Sequence, residues 1–217
     1  MKRAYNFNAG PSALPLSVLE QAQKELLDFR GTGMSVMEHS HRGKDYEAVH
    51  NEAISLMKEL LGLGDDYQVL LLQGGASLQF SMVPLNFLPE GKKAAYVMTG
   101  GWAEKAYQEA QKIGQVYEVA STKEGNYRRI PPLEELKFSQ DDAYLHITSN
   151  NTLFGTEWHD FPAAGNVPLI ADMSSDILSR PIKGIEKFSL IYAGAQKNLG
   201  PSGLTVAIIK NSLLEAA

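Results

Sequence analysis

Residues 67–77 read YQVLLLQGGAS, a short apolar run that passes through two glycines into a segment with helical spacing. An apolar run of this length predicts a β-strand that is buried on both faces. Gly74 and Gly75 permit a tight turn, and we predict a helix from Ser77 onward. A strand, a glycine turn and a helix in this order indicate an α/β protein.

The same alternation continues on both sides of this stretch. Before it, apolar residues at helical spacing predict two helices, over 17–29 and about 45–61, each followed by glycines that end helices. After it, further apolar runs predict buried strands over 94–98, 143–148, 167–171, 190–193 and 204–209. We therefore predict an α/β fold, with a mostly parallel sheet sandwiched by helices.

The composition argues against several classes of protein. The 217 residues carry a net charge of -5 and no run of basic residues, which disfavours nucleic acid as the main partner. No cysteine is present, so disulfides, thiolate metal sites and cysteine nucleophiles are excluded. The first residues show no signal-peptide pattern, and no apolar stretch approaches the ~20 residues that a membrane span needs. We expect a cytoplasmic protein with no membrane partner.

Three features at predicted strand ends point to chemistry. The helix start after Gly74 and Gly75 offers free N–H groups to an anion, although an ordinary strand-to-helix turn has the same sequence. Asp172 ends a buried strand, where open α/β sheets bind ligands, but a helix-capping aspartate accounts for it equally. Lys197 follows a buried strand among small residues. Partial desolvation would lower its pKa and make it a nucleophile, whereas a solvated surface lysine is the alternative.

Pyridoxal phosphate requires this combination of groups. Its phosphate needs a helix N-terminus, its ring nitrogen an acidic partner and its aldehyde a lysine amine. Trp102, which follows another predicted strand and two glycines, is available to stack on a planar ring, or is an ordinary packed tryptophan. The order of these features along the chain favours a site for this cofactor.

Five motifs distributed over the whole chain strengthen this interpretation. They are NFNAGPS at 6–12, SVMEHSHRG at 35–43, GGASLQF at 74–80, ILSRP at 177–181 and AGAQKNLGP at 193–201. Together they closely resemble the motifs of the phosphoserine aminotransferase family, fold-type I enzymes of the class V aminotransferase group. The resemblance implies the seven-stranded type of sheet found in the large domain of fold-type I transferases that bind pyridoxal phosphate.

The resemblance also implies roles in cofactor binding. Lys197 would bind the cofactor aldehyde covalently, and Asp172 would pair with the ring nitrogen. Trp102 would stack on the ring, and Thr152 would contact the ring hydroxyl. The implied phosphate contacts are Ala76, Ser77 and Gln196.

The implied reaction is reversible amino transfer between L-glutamate and 3-phosphohydroxypyruvate, which gives O-phospho-L-serine and 2-oxoglutarate in serine biosynthesis. Arg42 would bind the substrate carboxylate, and His41 would lie near the substrate phosphate, across the interface of a homodimer. His39 and His41 lack a third ligand nearby, so we expect no metal site. We further expect residues 1–15 to form an arm on the small-domain side and 16–217 the cofactor-binding large domain. The family's smaller C-terminal domain would lie outside this chain.

Several other functions stay open at this stage. Another class V aminotransferase, such as a serine–glyoxylate aminotransferase, would share most of these motifs. A non-catalytic fragment of the fold is also compatible with them. A non-catalytic module that binds a nucleotide or phosphate at Gly74 and Gly75 would leave Asp172 and Lys197 without a role. A cysteine desulfurase is excluded, because that enzyme needs a nucleophilic cysteine.

Overall fold

A computed structural model describes residues 3–216 of the chain. Met1 and Lys2, in the predicted arm, and Ala217, the end of the predicted large domain, lie outside the described residues. The helices are α1 (Leu16–Glu25), α2 (Lys44–Leu61), α3 (Gly75–Phe87), α4 (Gly101–Gln111) and α5 (Asn211–Leu214). The strands are β1 (Tyr67–Leu72), β2 (Lys93–Met98), β3 (Gln115–Ser121), β4 (Tyr144–Thr148), β5 (Asn150–Asn151), β6 (Thr156–Glu157), β7 (Leu169–Asp172), β8 (Phe188–Gly194) and β9 (Thr205–Lys210).

Seven of these strands form one mixed sheet in the order β1-β9-β8-β7-β4-β2-β3. The five adjacent strands β8-β7-β4-β2-β3 run parallel to one another, whereas β9 pairs antiparallel with both β8 and β1. The remaining two, β5 and β6, form a small hairpin. The predicted α/β fold with a mostly parallel sheet is therefore confirmed.

Both faces of the sheet are covered, which explains why its central strands are apolar throughout. On one face α3 and α4 pack over the strands, with Phe80 and Val83 against Tyr96 and Tyr192. On the other face Met57 of α2 packs in a second cluster with residues from the loops that precede β7. Within residues 3–216, no helix combines the length and the apolar character needed to cross a bilayer.

The first helix is shorter than predicted, because α1 ends at Glu25 and not near residue 29. The chain bends after it and makes a short 3₁₀ turn at Phe29–Gly31, in which Arg30 has a positive φ of 54°. None of the side chains of α1 is buried against the rest of the described chain. Most helices owe their stability to the packing of an apolar face, and α1 has no such packing within the described chain. The apolar periodicity of the sequence therefore did not locate the end of this helix.

Two of the longer elements, α4 and β3, were not predicted, and neither were the short elements β5, β6 and α5. The buried face of α4 consists of Ala103, Ala106 and Ala110, which give a weak hydrophobic signal although they stand at helical spacing. Strand β3 lies at the edge of the sheet, is only partly buried and contains Glu118. Small residues and an edge position both weaken the pattern on which a strand or helix prediction depends.

Candidate active site

A cavity opens at the edge of the sheet where the parallel strands β4, β7 and β8 end. The starts of α3 and α4 complete its wall. Its lining residues are Gly75, Ala76, Ser77, Phe80, Trp102, Thr148, Asn150, Asp172, Ser174, Ser175, Gln196 and Lys197. Parallel strands present their carboxyl ends at one edge, and open α/β sheets bind ligands there. The fold thus brings together six residues predicted from the sequence: Ala76, Ser77, Trp102, Asp172, Gln196 and Lys197.

The start of α3 forms one end of the cavity. Gly74 precedes the helix with a φ of 94°, and a Cβ at this position would lie 2.3 Å from Cδ2 of Leu78. Only glycine fits this turn without strain. The first N–H groups of an α-helix lack acceptors within the helix, and here Gly75, Ala76 and Ser77 line the cavity. This end is therefore suited to an anion such as a phosphate.

Asp172 lies at the end of β7 and is only 5% exposed. The hydroxyl of Ser174 donates to Asp172 Oδ1 at 2.6 Å, and the Ser174 N–H donates to the same oxygen at 3.0 Å. Within residues 3–216, Oδ2 accepts no hydrogen bond. Burial raises the pKa of Asp172, while the two Ser174 donors and the nearby charge of Lys197 act in the opposite direction. A cationic partner at Oδ2 would relieve the cost of burying this carboxylate.

Lys197 stands in the loop after β8 and is half-buried. Its Nζ donates to the hydroxyl of Thr152 at 2.5 Å and lies 5.5 Å from the ring centroid of Trp102. Burial lowers its pKa, although Asp172 and Asp176 oppose this shift. A lower pKa leaves more of the amine unprotonated, and the unprotonated amine is the nucleophile. Thr152, another predicted site residue, thus joins the site through its contact with Lys197.

Arg42 and His41 are not brought to the cavity by the described part of the chain. Both are exposed in the turn before α2, and neither lines the cavity wall. Their roles in substrate binding stay predictions.

The structure adds polar residues that the sequence reasoning missed. Thr148 ends β4 and lines the cavity, and its buried Oγ1 has no hydrogen-bond partner within residues 3–216. Ser174 holds Asp172, and the Ser12 hydroxyl donates to the backbone carbonyl of Lys197. Hydroxyl side chains near predicted strand ends were the only available signal for Thr148 and Ser174. Ser12 lies in a recognised motif that had received no role.

Comparison with known proteins places these features in context. Residues 4–217 match the family Aminotransferase class-V. Phosphoserine aminotransferase of Geobacillus kaustophilus (strain HTA426) is 66% identical over 215 residues, which are 99% of this chain and 59% of the relative. That of Lysinibacillus sphaericus (strain C3-41) is 63% identical over 216 residues, again 59% of its length. The chain thus spans about 59% of the curated relatives it matches.

The chain is also similar to solved structures of phosphoserine aminotransferases. The structure of phosphoserine aminotransferase from Bacillus circulans subsp. alkalophilus superposes with a TM-score of 0.96 at 58% identity, covering 98% of this chain and 59% of that one. The phosphoserine aminotransferase from Trichomonas vaginalis, solved with bound PLP, has a TM-score of 0.92 at 43% identity. In that case 98% of this chain and 63% of the other are covered.

Proposed function

Because the chain belongs to the class-V aminotransferase family, we propose that the protein is a phosphoserine aminotransferase dependent on pyridoxal phosphate. The observation that carries the proposal is one cavity that holds Lys197, Asp172 and the start of α3. The proposed reaction is reversible amino transfer between L-glutamate and 3-phosphohydroxypyruvate. Relatives named phosphoserine aminotransferase that are 63% and 66% identical to this chain support this choice of substrates.

The residues of the cavity fit pyridoxal phosphate. The phosphate would bind at Ala76 and Ser77, with the Gln196 side chain beside them, and Trp102 would pack on the ring. Thr148 Oγ1 is a buried oxygen without a hydrogen-bond partner among residues 3–216, and the Asp172 carboxylate lines the same cavity, so the cavity calls for a polar ligand. When bound, this cofactor supplies a conjugated ring that accepts the electron pair released at the substrate α-carbon.

The chain's own residues carry the proton chemistry in this proposal. Lys197 Nζ would act as the general base that takes the proton from the substrate α-carbon and later returns it, because burial lowers its pKa and leaves more of the amine unprotonated. Thr152 holds Nζ in position by accepting its hydrogen bond. Asp172 would pair with the ring nitrogen of the cofactor and would favour a positive charge there, because it is a buried carboxylate that lines the cavity.

We propose that Arg42 binds the carboxylate of the substrate, which suits the two parallel hydrogen bonds of a guanidinium, and that His41 lies near the substrate phosphate. Both side chains are exposed, so they are accessible to substrate or to a second copy of the chain. A homodimer is part of the proposal, and the exposed apolar residues Leu16 and Val18 of α1, each about half exposed, support it. The division into an arm at 1–15 and a large domain from residue 16, and the cytoplasmic location, remain predictions.

The decisive experiment compares the protein with a Lys197→Ala variant. With pyridoxal phosphate, the unaltered protein should show a visible absorption band that changes when glutamate is added. Borohydride should fix the cofactor on the peptide that contains Lys197. The variant should show no fixed cofactor, and its rate of amino transfer should fall by at least about 100-fold because the general base is lost.

Lys112→Ala is the matched control, because Lys112 is an exposed lysine at the end of α4. It should behave like the unaltered protein. Fixation of cofactor at a lysine other than Lys197 would contradict the assignment. Faster turnover of glyoxylate than of 3-phosphohydroxypyruvate would replace the proposed substrate and leave the cofactor assignment intact.

A further inference from the structure

The segment formed by residues 10–12 lies across the loop that carries Lys197. The Ser12 N–H donates to the carbonyl of Gln196 at 2.8 Å, and the Ser12 hydroxyl donates to the carbonyl of Lys197. Two consecutive peptide groups of the lysine loop are therefore bonded to one residue from the other end of the chain. Both bonds act on the backbone that sets the direction of the lysine side chain.

Gly10, two residues earlier, lies against the aliphatic part of the same lysine. A Cβ placed on Gly10 would be 3.0 Å from Cγ of Lys197 and 3.7 Å from Cε. A side chain at Gly10 would therefore require the lysine stem to shift by a few tenths of an ångström. The other end of the side chain is held as well, because Nζ donates to Thr152 Oγ1 at 2.5 Å. A displaced stem must therefore move Nζ or weaken that bond.

These contacts restrain a side chain that is otherwise among the most flexible in proteins. Residues 3–9 are exposed, so the arm is not held there by a buried apolar surface. The contacts of segment 10–12 with the lysine loop are accordingly suited to fixing the lysine more than to stabilising the core.

We propose that segment 10–12 positions the reactive amine, with Gly10 and Ser12 as positioning residues for Lys197. This inference rests on the proposed function, in which Lys197 reacts with pyridoxal phosphate. Gly10 sets the path of the side chain, and Ser12 fixes the loop from which it projects. The NFNAGPS motif thereby has a physical role in the site.

The test measures how fast pyridoxal phosphate becomes attached to Lys197, as a function of pH, by borohydride trapping and peptide mass analysis. Ser12→Ala and Gly10→Ala should each slow attachment about tenfold, since misplacement of a reacting group by up to 1 Å costs up to about 100-fold. Gly10→Val should be slower than Gly10→Ala. The pH profile of these variants should move to higher pH, because burial lowers the pKa of Lys197 and an amine displaced from its place in the cavity loses part of that burial.

Controls separate positioning from folding. Ser12→Thr keeps the hydroxyl and should restore most of the rate. Ser17 and Gly125 are both exposed, and a Cβ at Gly125 would meet no atom within 4 Å. The Ser17→Ala and Gly125→Ala variants should therefore attach the cofactor at the same rate as the unaltered protein. Unchanged rates and pH profiles in the Ser12→Ala and Gly10→Ala variants would overturn the inference. So would slower attachment with an unshifted pH profile and a lower unfolding temperature. Failure of the unaltered protein to attach cofactor would instead refute the proposed function.

Discussion

Ser174 connects the acidic residue of the site to the neighbouring strand. Its hydroxyl donates to Asp172 Oδ1 at 2.6 Å and accepts the N–H of Gly194, the last residue of β8, at 3.0 Å. Removal of this hydroxyl would take a donor from a buried carboxylate and an acceptor from a buried N–H. Each loss is costly because neither group can turn to water instead.

We predict that Ser174→Ala weakens binding of pyridoxal phosphate about tenfold, as expected for loss of a hydrogen bond to a charged group. The Ser174 donors lower the pKa of Asp172, so their loss raises that pKa further. Asp172 would then take up a proton at a higher pH. On acidification, cofactor affinity should therefore begin to fall at a higher pH than it does in the unaltered protein. Spectroscopic titration of cofactor binding at several pH values measures both effects.

Ser189→Ala is a suitable control for this titration. Ser189 lies near the start of β8, at the opposite end of the strand from the cavity. An affinity and pH profile in Ser174→Ala that equal those of this control would contradict a role for Ser174 in orienting Asp172.

Single residues of the site were predictable to the extent that their positions along strands were predictable. Asp172 and Lys197 follow buried strands, so a parallel sheet had to bring them to one edge. The side chains of Thr148 and Ser174 also lie there, but strand periodicity does not show which hydroxyl turns into a cavity. The contact of Gly10 with Lys197 spans almost the whole chain, and no local pattern encodes it.

Helix α3 depends on the turn that begins it. We predict that Gly74→Ala lowers the free energy of unfolding by about 1–3 kcal/mol, the usual cost of a strained left-handed backbone in a residue other than glycine. The added Cβ would also meet Cβ of Leu78 at 2.9 Å. Since the start of α3 lines the cavity, phosphate binding should weaken as well. Urea denaturation and titration with pyridoxal phosphate measure the two effects.

Gly125→Ala again provides the comparison, because its Cβ meets open space and its φ is not positive. Its unfolding free energy should stay close to that of the unaltered protein. A Gly74→Ala variant as stable as Gly125→Ala would show that α3 can start without a glycine at this position.

Apolar runs predicted most of the strands, including β1, which the structure shows to be only partly buried, and predicted a mostly parallel sheet without the direction of each strand. The run at 204–209 corresponds to β9, which is antiparallel to both of its neighbours. The connection at 195–204 is short for the crossover that a parallel pair requires, so its length carried information on direction. Strand β3 remained unpredicted because its exposed edge position allows polar residues, which interrupt the apolar pattern.

Two buried ionisable groups make the stability of the whole molecule depend on pH in opposite ways. Burial lowers the pKa of His146 from 6.5 to about 3, and burial raises the pKa of Asp176 from 3.8 to about 6. Below pH 6.5 the unfolded chain protonates His146 and the native protein does not, so acidification destabilises the fold. Below pH 6 the native protein protonates Asp176 before the unfolded chain does, so acidification stabilises it.

We predict that these contributions largely cancel between pH 6 and 3.8 and that single substitutions reveal them. In Asp176→Asn, the unfolding free energy should fall on acidification by about 1.4 kcal/mol more per pH unit than in the unaltered protein. In His146→Gln, the difference should have the opposite sign. Urea denaturation series at several pH values measure these slopes. Parallel pH curves for the three proteins would show that neither group titrates differently in the native and unfolded states.

The sheet order has a consequence for how the protein is made. Strand β1 joins the sheet only through β9, and Tyr67 pairs with Lys210, 143 positions later in the chain. A ribosome that adds about 5–20 residues per second needs roughly 7–30 s to cover that distance. During this time β1 has left the ribosome without its partner, and its apolar side chains are open to chaperones. The turn that begins α3 can therefore take its place against the sheet only after one of the last strands has emerged.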